Sequence, residues 1–173
     1  MSESGISMLR KAAAIWGFVG VTSFLGFAVF RLYDNTFQAF ESNLTLFQWV
    51  LLFANIVFMS YSEGYRGFQK NFSPRVAARI RYLKDSADLK SGLFAPAFCM
   101  GYFGTTRRRQ ISVIVLTLAL MALISVVRTL PQPWRGIIDA GVVVGLTWGL
   151  ISLFVMVWLA FTSNDFDHPH EVQ

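Results

Sequence analysis

Four long apolar stretches divide the chain: Ala12 to Phe30, Leu44 to Tyr61, Ile111 to Val127 and Ile137 to Phe161. A helix rises about 1.5 Å per residue, so about 20 residues cross a hydrocarbon core about 30 Å thick. The second and third stretches are at the short end of that range, and the fourth is long enough to tilt. None alternates apolar and polar residues as a barrel strand does, and all are longer than such a strand. Backbone groups in lipid must be bonded within their own segment, which leaves helices. The pattern predicts an all-α, polytopic membrane protein with four transmembrane helices, in a single membrane domain covering residues 1–173. The first stretch follows Arg10 and Lys11, as a signal peptide would. It continues to Arg31 without a small-residue cleavage site, which predicts a retained anchor helix.

Shorter patterns lie between the spans. Ser73-Pro74 reads as an N-cap followed by proline at the first helical position. A helix from Pro74 to Asp88 gathers Val76, Ile80, Leu83 and Ala87 on one side, flanked by Arg75, Arg79, Arg81 and Lys84. That arrangement predicts an amphipathic helix lying among headgroups. The run GLFAPAFCMGYF, residues 92–103, is too short to cross, is broken by Pro96 and Gly101, and has positive charge at both ends. It is expected to dip into the membrane and return, or to pack against the bundle. Phe37, Phe40 and Leu44 are at helical spacing with Asp34 and Glu41 nearby, which predicts a short interfacial helix between the first two spans. Residues 162–173 read as a polar C-terminal tail.

Charge then orients the bundle. Of the 15 Lys and Arg residues, 12 fall in the N-terminal segment (Arg10, Lys11) or in the connection at residues 62–110, and only Arg31, Arg128 and Arg135 lie elsewhere. Positive loops stay in the cytoplasm, so both termini and the basic connection are expected there, in a cell membrane (the inner one in a bacterium). Charged residues make up 14% of the chain and apolar ones 54%, against about 25% charged in soluble domains. The net charge of +5 sits at the edges of apolar runs, which argues against nucleic acid as a partner. Cys99 is the single cysteine, and His168 and His170 are both in the tail. Zinc, iron–sulfur and bis-histidine haem sites therefore lack ligands, and neither a metal nor a cofactor is expected.

Three constellations carry the candidate chemistry. Gly141, Gly145 and Gly149 lie four apart on one face of the last span, beside Ser152. That face lets another helix approach closely, within this chain first and from a second copy otherwise, with a lipid or substrate groove as the remaining use. Arg135 and Asp139 are i,i+4, and Arg128 lies across the Pro131-Gln132-Pro133 turn, which predicts a clasp of Arg128, Arg135 and Asp139, with an ion or proton site as the alternative. The stretch from Tyr61 to Arg75 mixes Gly64, Gly67, aromatic rings and charge. Glu63, Arg66, Lys70, Arg75 and Arg79 are the candidates there for contact with a lipid headgroup or another anion, and the plain alternative is a snorkelling boundary. From Glu63 to Lys90 there are seven basic and three acidic residues. Gln48 and Asn55 share a side of the second span, where hydrogen bonding between helices is the first explanation.

No Gly-x-Ser-x-Gly, Walker loop, His-Glu-x-x-His or Cys-x-x-Cys pattern is present. The sequence ranks three functions. First is an accessory or lipid-interacting component of a membrane assembly, with anionic membrane lipids and another membrane protein or a second copy as partners. Next is a small oligomeric transporter or channel with Gln48 and Asn55 on a neutral path. Last is a lipid-headgroup enzyme built on Glu63 and Arg66.

Overall fold

The computed structural model describes residues 3–41, 43–163, 166 and 168. His170 and most of the polar tail lie outside the described residues. All of the regular structure described is helical: α1 (Glu3–Glu41), α2 (Leu46–Met59), a π-helical segment (Ser60–Phe72), α3 (Ser73–Ser86), α4 (Leu89–Leu93), α5 (Ala95–Met100), α6 (Arg107–Val127) and α7 (Trp134–Thr162).

Thr45 opens α2 with a capping box: its hydroxyl accepts from the Gln48 N–H and the Gln48 side chain accepts from the Thr45 N–H. From there α2, the π segment and α3 run without a break from Leu46 to Ser86. The expected N-cap at Ser73 is therefore not formed. Ser73 has helical φ and ψ of −61° and −43°, and its N–H bonds Phe68 O, five residues back. Pro74 has no N–H to add to either ladder, and the i→i+5 pattern gives way to the α-helix at that point.

This long rod lies parallel to α7. Asn55 donates to Ile137 O at 2.8 Å near one end, Gln69 meets Trp148 midway, and Lys84 lies over the Phe161 ring at the other end. The α1 helix runs antiparallel to both. Phe18 makes an edge-to-face contact with Phe154, while Gln132 and Gly136 lie against Asn35 at the far end. The predicted interfacial helix at Phe37 and Phe40 is instead the last part of α1, which continues to Glu41.

The largest core joins Val21 and Leu25 of α1, Val76, Ile80 and Leu83 of α3, Ala95, Phe98 and Cys99 of α5, and Leu153 of α7. The stripe expected to lie in headgroups thus faces protein. Long-range neighbours cover it, which the local pattern of α3 does not reveal. Residues 92–103 pack as α4 and α5 against α1, and α5 ends at Gly101, whose φ of +90° suits glycine.

In contrast, α6 stands almost apart. Val127 is its one buried residue, and every side chain from Leu118 to Val126 is exposed. It touches the bundle through Tyr102 Oη and Thr117 Oγ1 at 2.8 Å, and through Val113 beside Gly101.

Candidate functional site

The π segment determines where its side chains point. In an i→i+5 ladder a turn takes between four and five residues, so side chains five apart lie on roughly the same side. Glu63 and Phe68 form one such strip and cover Gly145 and Gly149, while Asn55 and Met59 cover Gly141. A Cβ on Gly145 would be 3.2 Å from Glu63, and one on Gly149 would be 2.6 Å from the Phe68 ring. The glycine stripe is therefore a groove filled by the chain's own second rod, with Ser152 buried beside it.

Gly64 and Gln69 form the next strip and meet Trp148. The indole packs over Gly64, and its N–H donates to Gln69 Oε1 at 2.9 Å. Beyond them come Tyr65 and Lys70, with the ammonium 4.6 Å from the ring centre. The following strip holds Tyr61, Arg66 and Asn71. Asn71 donates to Arg66 O at 2.6 Å and accepts from Arg75 at 3.4 Å. Tyr61 and Tyr65 stack across the two strips. Arg66 and Lys70 are exposed, and Arg75 is half-buried. Glu63 and Arg66, three apart in sequence, belong to different strips and form no ion pair among the described residues.

Asn71 links the Arg66 carbonyl to Arg75, Lys70 lies over Tyr65, and Arg79 is placed elsewhere. Arg79 is 3% exposed. Its guanidinium donates to Phe98 O at 2.5 Å, Gly104 O at 3.2 Å and Phe103 O at 3.3 Å, and it lies 5.0 Å from the Phe98 ring. These carbonyls surround the C-terminus of α5, where a cation is favoured. Arg79 holds the turn after α5 against α3.

The third constellation forms in part. Asp139 is 4% exposed and has Arg135 Nε at 3.8 Å. The Asn35 side chain hydrogen-bonds it from α1, while its Oδ2 has no donor among the described residues. Arg128 is exposed and joins neither residue. Asn55 makes the expected bond between helices, to α7 carbonyls, whereas Gln48 serves the cap of its own helix.

Some contacts were absent from the sequence reading although their signals were present. Thr45-x-x-Gln48 is a capping-box pattern. Gly17 and Gly20 make room for Cys99 and Pro96, and Gly136 makes room for Ala39, as expected of small residues between membrane helices. Cys99 is 2% exposed, and burial pushes its thiol up to about 12 against the opposing influence of Arg79.

Four helices, namely α1, the α2–α3 rod, α6 and α7, are long and apolar enough to cross a membrane, and large side chains such as Phe24, Phe53, Phe58, Leu116 and Phe154 point outward from them. The class is that of a multi-pass, all-helical membrane protein. Comparison with family models, curated proteins and solved structures finds no match for this chain.

Proposed function

We propose that this is a non-enzymatic, lipid-interacting component of a membrane assembly, and that Arg66, Lys70 and Arg75 hold anionic lipid headgroups at the cytoplasmic surface. The observation that carries the proposal is the sorting of charge around the π segment. Glu63 is turned into the contact with α7, while Arg66 and Lys70 are left together on the outside between Tyr61 and Tyr65. Tyrosine rings belong at the headgroup level of a membrane, with an apolar body and a polar tip. Each basic residue near an anionic surface contributes about 1 kcal/mol, screened by salt over about 8–10 Å. The 92–103 segment packs on α1 as α4 and α5.

The accessory role is supported by α6, an apolar helix with almost no protein neighbour in its own chain. The full-length protein, purified in mild detergent from a membrane containing phosphatidylglycerol, tests the headgroup role. Arg66→Gln with Lys70→Gln and Arg75→Gln should lower the co-purified anionic lipid, while Arg31→Gln should not. Equal anionic lipid in both variants would refute it.

A further inference from the structure

We propose that Glu63 holds a proton in the folded protein at neutral pH, so that the contact between the rod and α7 contains a proton-binding carboxyl. The inference is independent of the headgroup role above, which concerns the outer side of the rod.

Glu63 is half-buried, and its side chain reaches the glycine face of α7. Its Cβ and its Oε2 both stand 3.2 Å from the point that a Cβ on Gly145 would occupy. On either flank, Met59 covers Gly141 and Phe68 covers Gly149. The carboxyl therefore sits in a seam of apolar side chains and glycine backbone. An ionised carboxylate only accepts hydrogen bonds, so in this place it needs donors or a cation.

The donors along the seam are already committed. The Asn55 amide donates to Ile137 O and Ile138 O, and the Trp148 indole donates to Gln69. The hydroxyls of Ser60, Ser62 and Thr147 donate to Ile56 O, Phe58 O and Val143 O, each within its own helical segment or the one before it.

Cations are placed elsewhere too. The π segment packs on α7, α3 and α2. No residue of α2 is charged, and none of α7 from Ala140 to Thr162. The two charges of α7, Arg135 and Asp139, face each other near its start. On α3, Arg75 bonds Asn71, Arg79 is enclosed by the carbonyls around Phe98, and Lys84 lies over Phe161. Arg81 and Asp85 come still further along the rod than Arg79. Within the π segment Lys70 lies over Tyr65, and Arg66 is exposed. Among the described residues Glu63 has neither a hydrogen bond nor an ion pair from its side chain. A bare carboxylate in such surroundings is costly, and the group takes up a proton instead. The neutral acid also gains an O–H to donate. The Met59 carbonyl, an acceptor, lies on the same side, 3.6 Å from the Gly145 point.

The test treats the full-length protein in detergent at neutral pH with dicyclohexylcarbodiimide, an apolar reagent for protonated carboxyls. The acid proton passes to one carbodiimide nitrogen while the carboxyl oxygen bonds the central carbon. The acyl group then shifts from oxygen to nitrogen, which leaves a stable N-acylurea and releases nothing. Peptide mass spectrometry should find the adduct on Glu63. The exposed carboxylates Glu41 and Asp85, and Asp139 beside Arg135, should stay unmodified. Infrared difference spectra between the parent and Glu63→Gln supply a second measurement. The parent should show the C=O band of a protonated carboxyl, shifted in heavy water and missing from the variant. If the variant fails to fold, the labelling of the parent still decides. Absence of the adduct from Glu63, or equal labelling of Glu41 and Asp85, would overturn the proposal. So would a difference spectrum in which the variant loses carboxylate bands and no protonated carboxyl band.

Discussion

Gln69 accepts a hydrogen bond from the Trp148 indole across 2.9 Å, and the bond exists because Gly64, five residues earlier, lets the same indole lie flat against the rod. One π-helical strip thus supplies both the space and the acceptor. Runs of this geometry are usually a single turn, whereas here it extends over 13 residues, Ser60–Phe72. Its partner is the glycine face of α7, which accepts Glu63 and Phe68 from the neighbouring strip.

Gly64→Leu should destabilise the protein by about 1–3 kcal/mol, as overpacking does. A Cβ at Gly64 would be 2.9 Å from Trp148 Cγ. Thermal unfolding in detergent measures the loss, and an unchanged midpoint would mean that Trp148 moves aside freely.

The stripe on α7 makes a sharper prediction about assembly. Gly145→Leu and Gly149→Leu should lower stability by about 1–3 kcal/mol each, because Glu63 and Phe68 occupy those positions. Size-exclusion chromatography should show the same oligomeric size as the parent, since the stripe is filled within the chain. A change in size at unchanged stability would count against that packing.

Arg79→Met should cost at least about 2 kcal/mol. The change leaves one buried and two part-buried carbonyls without their charged donor, and a hydrogen bond to a charged group contributes about 1.5–3 kcal/mol. Arg66→Ala should stay within about 0.5 kcal/mol, as exposed substitutions do. Similar losses in both variants would contradict the assignment of Arg79 to the interior.

Cys99 should resist alkylation in the folded protein at pH 8 and react after denaturation, because the thiolate is the nucleophile. The same shift gives a pH dependence. An unfolded thiol ionises near its ordinary value of 9.0, while the folded one holds its proton to about 12. Between those values the folded state binds more protons, so stability should fall as pH rises. Cys99→Ala should remove that slope, and a slope unchanged by the substitution would assign it to another group.

A reporter active only outside the cytoplasm should be silent after Gln173 and active near Asn43. The grouping of 12 of the 15 basic residues in the N-terminal segment and residues 62–110 motivates this expectation. The reverse pattern would invert the topology, and activity at both positions would change the number of crossings.

The sequence by itself determined what depends on neighbours along the chain. Hydrophobic length defined four helices, i,i+4 spacing paired Arg135 with Asp139, and glycines four apart marked a face open to close approach. These are properties of one helix and need no knowledge of what lies opposite. Tertiary structure decided which faces are covered. Glu63 and Arg66 stand together in one charged stretch of the sequence, and the i→i+5 ladder turned one toward Gly145 and left the other exposed. Arg79 looked like one more cation beside an apolar stripe until the carbonyls around Phe98, distant in sequence, enclosed it. The apolar pattern of α6 resembles that of its fellow spans, yet it lies almost outside the bundle. Hydropathy records affinity for a nonpolar medium, and lipid and protein interior satisfy that affinity equally well.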